Sequence, residues 1–288
     1  MRGYVMKREK VERKAKPEKR EKIIRERAPK QIREEREPEF REDIVEGRNA
    51  VIETLKSDRT IDQILVAKGD LSGSINMILA MAKEKGIVVK EVDRKKLDQM
   101  TQTGSHQGVI AQVTPFKYSE IEDILAYAAE KNEQPFVIIL DEIEDPHNFG
   151  SIVRTADACG AHGIIIPKRR NVGVTPVVFK TSAGACEHMR IAKVTNINAA
   201  IDKLKEKGIW IYGADMHGRQ YCYDADMRGA AALVIGSEGR GMAKLTRDKC
   251  DVLVKIPMVG KISSLNASVA GGILMYEILR QKLQSEQK

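Results

Sequence analysis

Short apolar runs alternate with amphipathic stretches from about residue 44 to residue 283, and this alternation predicts an α/β protein. EGRNAVIETLKS (46–57) reads as a turn feeding a helix with Val51, Ile52 and Leu55 on one face. IDQILVA (61–67), IVVKEV (87–92) and GVIAQVTPF (108–116) are strand-like. SGSINMILAMAKEKG (72–86) and RKKLDQM between them read as helices. These elements predict a small α/β unit over 44–116. KYSEIEDILAYAAEKNEQ (117–134) reads as a helix and a polar stretch, a linker into a second domain over 135–288.

In that second domain the apolar runs are shorter and denser. FVIILD (136–141), HGIIIP (162–167), IAKVTN (191–196), WIYGAD (210–215), AALVIGS (231–237) and DVLVKIP (251–257) read as strands. Helices are expected over 146–160, 177–189, 197–208 and 265–283. Continuous apolar strands separated by helices predict a largely parallel sheet covered on both faces. In such sheets ligands sit beyond the carboxyl ends of the strands.

Composition changes the picture at one end of the chain. The formal net charge is +8, and residues 1–40 carry 15 Lys and Arg against 9 Asp and Glu. Large apolar residues are scarce there, so residues 1–43 cannot build a core and are expected to form a flexible basic arm. Either it meets nucleic-acid phosphates or it is a solubilising leader. No apolar run approaches the roughly 20 residues of a membrane span, and the start of the chain lacks the apolar core of a signal peptide. Cys159, Cys186, Cys222 and Cys250 show no C-x-x-C spacing. A reducing, cytoplasmic location is expected, with no membrane partner.

Three strand-terminal segments hold the unusual chemistry. They are Asp145-Pro146-His147-Asn148-Phe149-Gly150 running on to Arg154, Gly236-Ser237-Glu238-Gly239-Arg240-Gly241, and Ile256-Pro257-Met258 continuing to Ser264-Leu265-Asn266. The glycines fit neither G-x-G-x-x-G nor a P-loop, and there is no G-x-S-x-G elbow. The histidines lack HExxH or clustered spacing, so no metal is expected. Arg154 stands six residues after Asn148, nearly two helical turns on, an imperfect match of faces. Asn148, Glu238 and Asn266 are each also placed to be helix caps. As a set, one carboxylate, one guanidinium, two amides and a hydroxyl suit binding and orienting a polar substrate better than a nucleophile–base relay.

These segments, in this order, resemble the SpoU/TrmH family of the SPOUT class of S-adenosylmethionine-dependent RNA methyltransferases. The run Asp145–Ala156, Gly236–Gly239 and Ile256–Asn266 match its three motifs. Residues 167–185, Gly47–Val51 and Ser105–Val109 are similar to the bacterial members that 2'-O-methylate a guanosine of 23S rRNA. Their small ribosomal-protein-like α/β domain binds RNA. Ala267 departs from the Val often found there, and the charged leader is atypical.

The resemblance implies a deep trefoil knot in the parallel-sheet domain and S-adenosylmethionine bound largely by backbone. Gly236 and Ile256 would frame the adenine and Leu265 would pack on it, with Thr195, Asn196 and Gly213 as further members of the pocket. It implies Arg154 beside the acceptor 2'-hydroxyl, as base or as stabiliser of the alkoxide. Asn148 would orient the ribose or a phosphate, Glu238 would order Arg154 and the loops, and Ser264 and Asn266 would hold the third loop and the nucleotide. It also implies a homodimer packed through the first and last helices of the domain. An rRNA substrate is expected, with phosphates met by Arg154, Lys168, Arg169, Arg170 and the basic arm, and by Arg48 in the small domain; the alternative for 168–170 is a solvated loop. The alternatives are tRNA or another rRNA nucleotide as acceptor, or an RNA-binding protein without activity.

Overall fold

The computed structural model describes residues 43–69, 73–262 and 264–286. The expected basic arm lies outside them. In the first half, β1 (Ile44–Glu46), α1 (Arg48–Lys56), β2 (Ile61–Ala67), α2 (Ser74–Glu84), β3 (Val89–Val92), α3 (Arg94–Met100) and β4 (Val109–Val113) follow one another. Their strands form one sheet in the order β1-β4-β2-β3. It is mixed: β4 runs antiparallel to both β1 and β2, and β3 runs parallel to β2. Val51, Ile52 and Leu55 of α1 are all buried, which is the face the spacing predicts.

Next come α4 (Ile121–Glu130), β5 (Phe136–Asp141), α5 (Pro146–Ala158), β6 (Gly163–Pro167), α6 (Pro176–Thr181), β7 (Ile191–Val194) and α7 (Ile197–Glu206). The chain closes with β8 (Trp210–Ala214), β9 (Gln220–Tyr221), β10 (Ala231–Gly236), α8 (Lys244–Lys249), β11 (Val252–Lys255) and α9 (Ala267–Glu286). The second sheet has the order β7-β6-β5-β10-β8-β11-β9. Every pairing in it is parallel. β5 shows why its residues are uninterruptedly apolar. Phe136, Ile138 and Leu140 enter one core, while Val137 and Ile139 enter the core on the opposite face.

Three segments differ from the sequence expectation. The stretch 117–134 is no bare spacer: Ile121 and Ile124 of α4 are buried in the second core, and Ser119 bridges Ala192 of β7. The single helix expected over 177–189 stops at Thr181, because Ala183 and Gly184 take positive φ values of 54° and 91° and turn the chain. A side chain at 184 would also stand 2.5 Å from Cβ of Glu53, so this turn lies directly on α1. Finally, β7 ends at Val194, because the Asn196 side chain accepts from the amides of Asn198 and Ala199 and starts α7.

Candidate functional site

The site begins with two neighbouring strands. β5 and β10 run parallel with Asp141 opposite Gly236, so the loops after both strands leave from one edge. Asp141 is buried, and its carboxylate accepts the amide of Ala243 at 2.7 Å. That contact ties the segment beyond β10 to the end of β5. After Asp141 the chain starts α5, with Pro146 in its first turn and the Asp145 side chain accepting from His147 N. Asn148 is thereby placed in the first turn of α5, and it is buried.

After Gly236 the chain makes a tight turn in which Ser237 and Gly241 exchange backbone hydrogen bonds of 3.1 and 2.9 Å. Gly239 and Gly241 supply the positive φ values, 79° and 69°, that this turn needs. The turn carries Glu238 to α5. Its Oε1 accepts from Asn148 Nδ2 at 2.8 Å and, in a short contact, from Asn266 Nδ2. Asn266 Nδ2 also donates to Asn148 Oδ1 at 2.9 Å. Residues 148, 238 and 266, one from each sequence motif, thus form a closed triangle of hydrogen bonds.

Asn266 does two things at once. While its amide nitrogen serves the triangle, its Oδ1 accepts from Ser268 N at 2.9 Å and from Val269 N at 3.3 Å, capping α9. The capping role foreseen for this residue is therefore met while its amide nitrogen joins the triangle. Asp145, not Asn148, caps α5. Glu238 caps nothing in its own segment, though its carboxylate lies 3.5 Å from Ala267 N at the start of α9.

The remaining site residues divide into those brought together and those kept apart. β8 lies between β10 and β11, with Gly213 opposite both Val234 and Leu253. Gly213, Gly236 and Ile256 therefore sit at the carboxyl ends of three adjacent strands. A side chain is barred at 236 by backbone, whereas at 213 it would displace the ends of neighbouring side chains. At 213 it would stand 2.8 Å from Cys250 Sγ, and at 236 it would stand 2.2 Å from the backbone of Gly241. Burial pushes the Cys250 thiol up to about 12, so it packs there as a neutral group. Leu265 is partly exposed, and Ser264 is exposed beside it. Met258, Val259 and Ile262 of the same loop are exposed apolar side chains. Backbone groups at these strand ends are thus flanked by exposed apolar side chains.

Thr195 and Asn196 do not join this group. They follow edge strand β7, and β6 and β5 intervene between β7 and β10. Three strand spacings put them about 14 Å away, and the Asn196 side chain is engaged in capping α7. The sequence showed that both follow a strand, but not the order of the strands in the sheet. Arg154 is also separate from the triangle: its side chain is exposed on α5, whereas Asn148 is buried. Six residues turn a helix through about 240° beyond one full turn, which sends the two side chains to different sides. Among the described residues no group of three His, Cys, Asp or Glu side chains is gathered as a metal site.

Comparison with known proteins gives this geometry its context. The SpoU rRNA methylase family matches residues 135–276, and the family of RNA 2'-O ribose methyltransferase substrate-binding domains matches residues 44–119. YacO of Bacillus subtilis (strain 168), assigned to the TrmH family of tRNA/rRNA methyltransferases, is 55% identical over 83% of this chain and 96% of its own length. The chain belongs to the SpoU/TrmH family. A TrmH-family tRNA/rRNA methyltransferase of Staphylococcus haemolyticus is 46% identical over 84% of this chain and 96% of its own. The crystal structure of the SpoU methyltransferase AviRb from Streptomyces viridochromogenes with AdoMet superposes with a TM-score of 0.70 at 25% identity, over 84% of this chain and 90% of that one. As a SpoU/TrmH protein, the chain is an S-adenosylmethionine-dependent RNA ribose 2'-O-methyltransferase.

Proposed function

We propose that this SpoU/TrmH enzyme methylates the ribose 2'-hydroxyl of one nucleotide in a tRNA or rRNA, the acceptor being chosen by the small domain. The observation that carries the chemistry is the closed triangle of Asn148, Glu238 and Asn266 at the carboxyl edge of the parallel sheet. The breadth of acceptor follows the relatives, whose assignments span tRNA and rRNA. A guanosine of 23S rRNA, the narrower reading from residues 167–185, is one member of that class. In this reading residues 1–43 are a basic arm, 44–116 bind substrate, and 135–288, with α4 packed into their core, are the methyltransferase domain. The work is done in the reducing cytoplasm.

S-adenosylmethionine supplies an electrophilic methyl group. Gly213, Gly236, Ile256 and Leu265 would hold it, with the loops after β10 and β11 closed into a trefoil knot. The triangle supports that reading, because it locks the start of α9 against the loops it would thread. Ser264 would contact the nucleotide beside Leu265. Arg154 would approach the attacking oxygen. A guanidinium is almost always protonated, so its work is to stabilise the developing alkoxide; the hydroxyl proton passes to a phosphate oxygen of the RNA or to water, and the donor leaves as the neutral thioether S-adenosylhomocysteine. Holding donor and hydroxyl in contact provides much of the acceleration.

The active unit in this reading is a homodimer. α9 leaves Val269, Ile273, Tyr276 and Leu283 exposed. Their spacing places them along one side of the helix, opposite the buried Leu274 and Ile278. Arg154, exposed and outside its own triangle, is then free to serve a site shared with the second copy. The test is incubation of the full chain with methyl-labelled S-adenosylmethionine and, separately, tRNA and rRNA from cells lacking the gene. Label in an alkali-resistant 2'-O-methyl nucleotide of one fraction is expected. Label on a base, or none in either fraction, would overturn the reading. Arg154→Ala should lose about 100-fold or more in turnover while donor affinity stays unchanged.

A further inference from the structure

We propose that Glu142 sets Arg170 and Arg240 as a two-armed cradle for one phosphodiester of the RNA strand beside the acceptor ribose; this rests on the reading above that RNA is the substrate. Glu142 directly follows Asp141, at the end of β5. Its Oε1 takes Arg170 Nη1 at 3.0 Å, and its Oε2 lies 3.7 Å from Arg240 Nη2. The two arginines come from different loops. Arg170 stands beyond β6, and Arg240 stands on the same tight turn as Glu238. That turn therefore aims one side chain at the triangle and, two residues on, another at Glu142.

The arrangement is built and not casual. Glu142 and Arg170 both hold positive φ values, 65° and 57°, which non-glycine residues seldom adopt. The loop bearing Arg170 is fastened to the segment after β5 by two contacts. Ile143 N donates to Asn171 Oδ1 at 2.9 Å, and Val172 N donates to Ile143 O at 2.9 Å. Exposed ion pairs contribute little to folding, so backbone strain at both partners calls for another use.

Electrostatics identify the ligand class. The Glu142 side chain is only 21% exposed, whereas those of Arg170 and Arg240 are 74% and 71% exposed. One carboxylate hydrogen-bonds Arg170, holds Arg240 in ion-pair range, and leaves most of their N–H donors facing solvent. Glu144 adds a second carboxylate, 3.9 Å from Arg240, and the exposed Lys168 and Arg169 outweigh it. Two planar forks gathered about one carboxylate match the oxygens of a phosphodiester. The donor's own carboxylate is the other anion near this edge, and the experiment separates the two.

The experiment uses the full chain and two readouts: binding of a labelled oligoribonucleotide against salt, and methyl transfer to the accepting RNA. Arg170→Ala with Arg240→Ala should make the slope of log affinity on log salt shallower by about 0.7–0.9, the loss of one phosphate. Arg170→Lys with Arg240→Lys keeps the charge and should keep the slope, but lose roughly tenfold in kcat/KM for RNA. Glu142→Gln should also lower kcat/KM roughly tenfold without loss of RNA affinity, because the arms remain cationic but unset. S-adenosylmethionine affinity should stay at the wild-type value in all three. An unchanged slope in the alanine variant, wild-type kcat/KM in the lysine variant, or a rise in kcat/KM in Glu142→Gln would each overturn the cradle. Loss of donor affinity would assign the arginines to the donor carboxylate and overturn it too. A wild-type chain that binds RNA through these arginines but methylates none would instead overturn the proposed function and leave the cradle standing.

Discussion

Two polar clusters in this molecule use similar side chains to opposite ends. Where α1 meets the turn after α6, Glu187 accepts from Thr54 Oγ1 at 2.9 Å, Ser57 Oγ at 3.1 Å and Arg59 Nη1 at 3.2 Å. Arg59 also donates to Thr114 O and lies over the ring of Phe179. The Arg59 and Glu187 side chains are 7% and 4% exposed. At the carboxyl edge of the large sheet, the triangle of Asn148, Glu238 and Asn266 is also hydrogen-bonded throughout, but Glu238 and Asn266 remain open to solvent. The first cluster surrounds its carboxylate with donors inside the protein and joins the small sheet to the large one. The second leaves polar atoms open to solvent while fixing their positions. Burial, more than residue type, separates the two clusters, and the proposed site role falls to the open one.

The widest separation between them should come from Glu187→Ala. It removes the shared acceptor of Thr54, Ser57 and Arg59 from a buried cluster, and a loss of about 3–5 kcal/mol in denaturant unfolding is expected. A loss below about 1 kcal/mol, the range of exposed ion pairs, would place this cluster with the surface pairs and erase the contrast. Asn266→Asp probes the other cluster. Asp caps a helix as well as Asn does, so the melting temperature should barely move. Its carboxylate would face Glu238 and part the triangle, and turnover should fall about 100-fold, the cost of a misplacement near 1 Å. Equal losses of stability and turnover would mean that the triangle is only a cap.

The smallest effect concerns His162, a buried group on the structural side of the contrast. Its Nδ1 accepts from Phe136 N at 2.9 Å, and its other ring nitrogen pairs with Glu133 at 3.0 Å. Burial lowers its pKa below 6.5, partly opposed by Glu133. The unfolded chain therefore takes up the proton near pH 6.5 before the folded chain does. Stability should fall as the pH drops through that window, and His162→Gln should flatten the fall in thermal melts between pH 7 and 5. An unaltered pH profile in the variant would remove His162 as a contributor.

Much of this was legible in the chain itself. Uninterrupted apolar runs such as FVIIL and GIII follow from strands buried on both faces, so the parallel sheet and its helices could be read from local pattern. The three motif segments carried their own turn and cap signals: Asp145-Pro146 opens α5, Gly239 and Gly241 permit the tight turn, and Asn266 opens α9. Strand order is another matter. Nothing local tells β7 that it is an edge strand, so Thr195 and Asn196 looked like neighbours of Gly236 until the sheet separated them. The same holds for α4, whose Ile121 and Ile124 resemble any amphipathic stripe until a core receives them. The meeting of Asn148, Glu238 and Asn266, and of Glu142 with Arg170 and Arg240, was likewise beyond local reading. Those contacts join residues 28 to 118 positions apart. Local sequence determines backbone conformation and which face is apolar, because those energies arise within a few residues. The partners of a polar side chain at a strand end depend on how the sheet is assembled, and tertiary packing alone decides that.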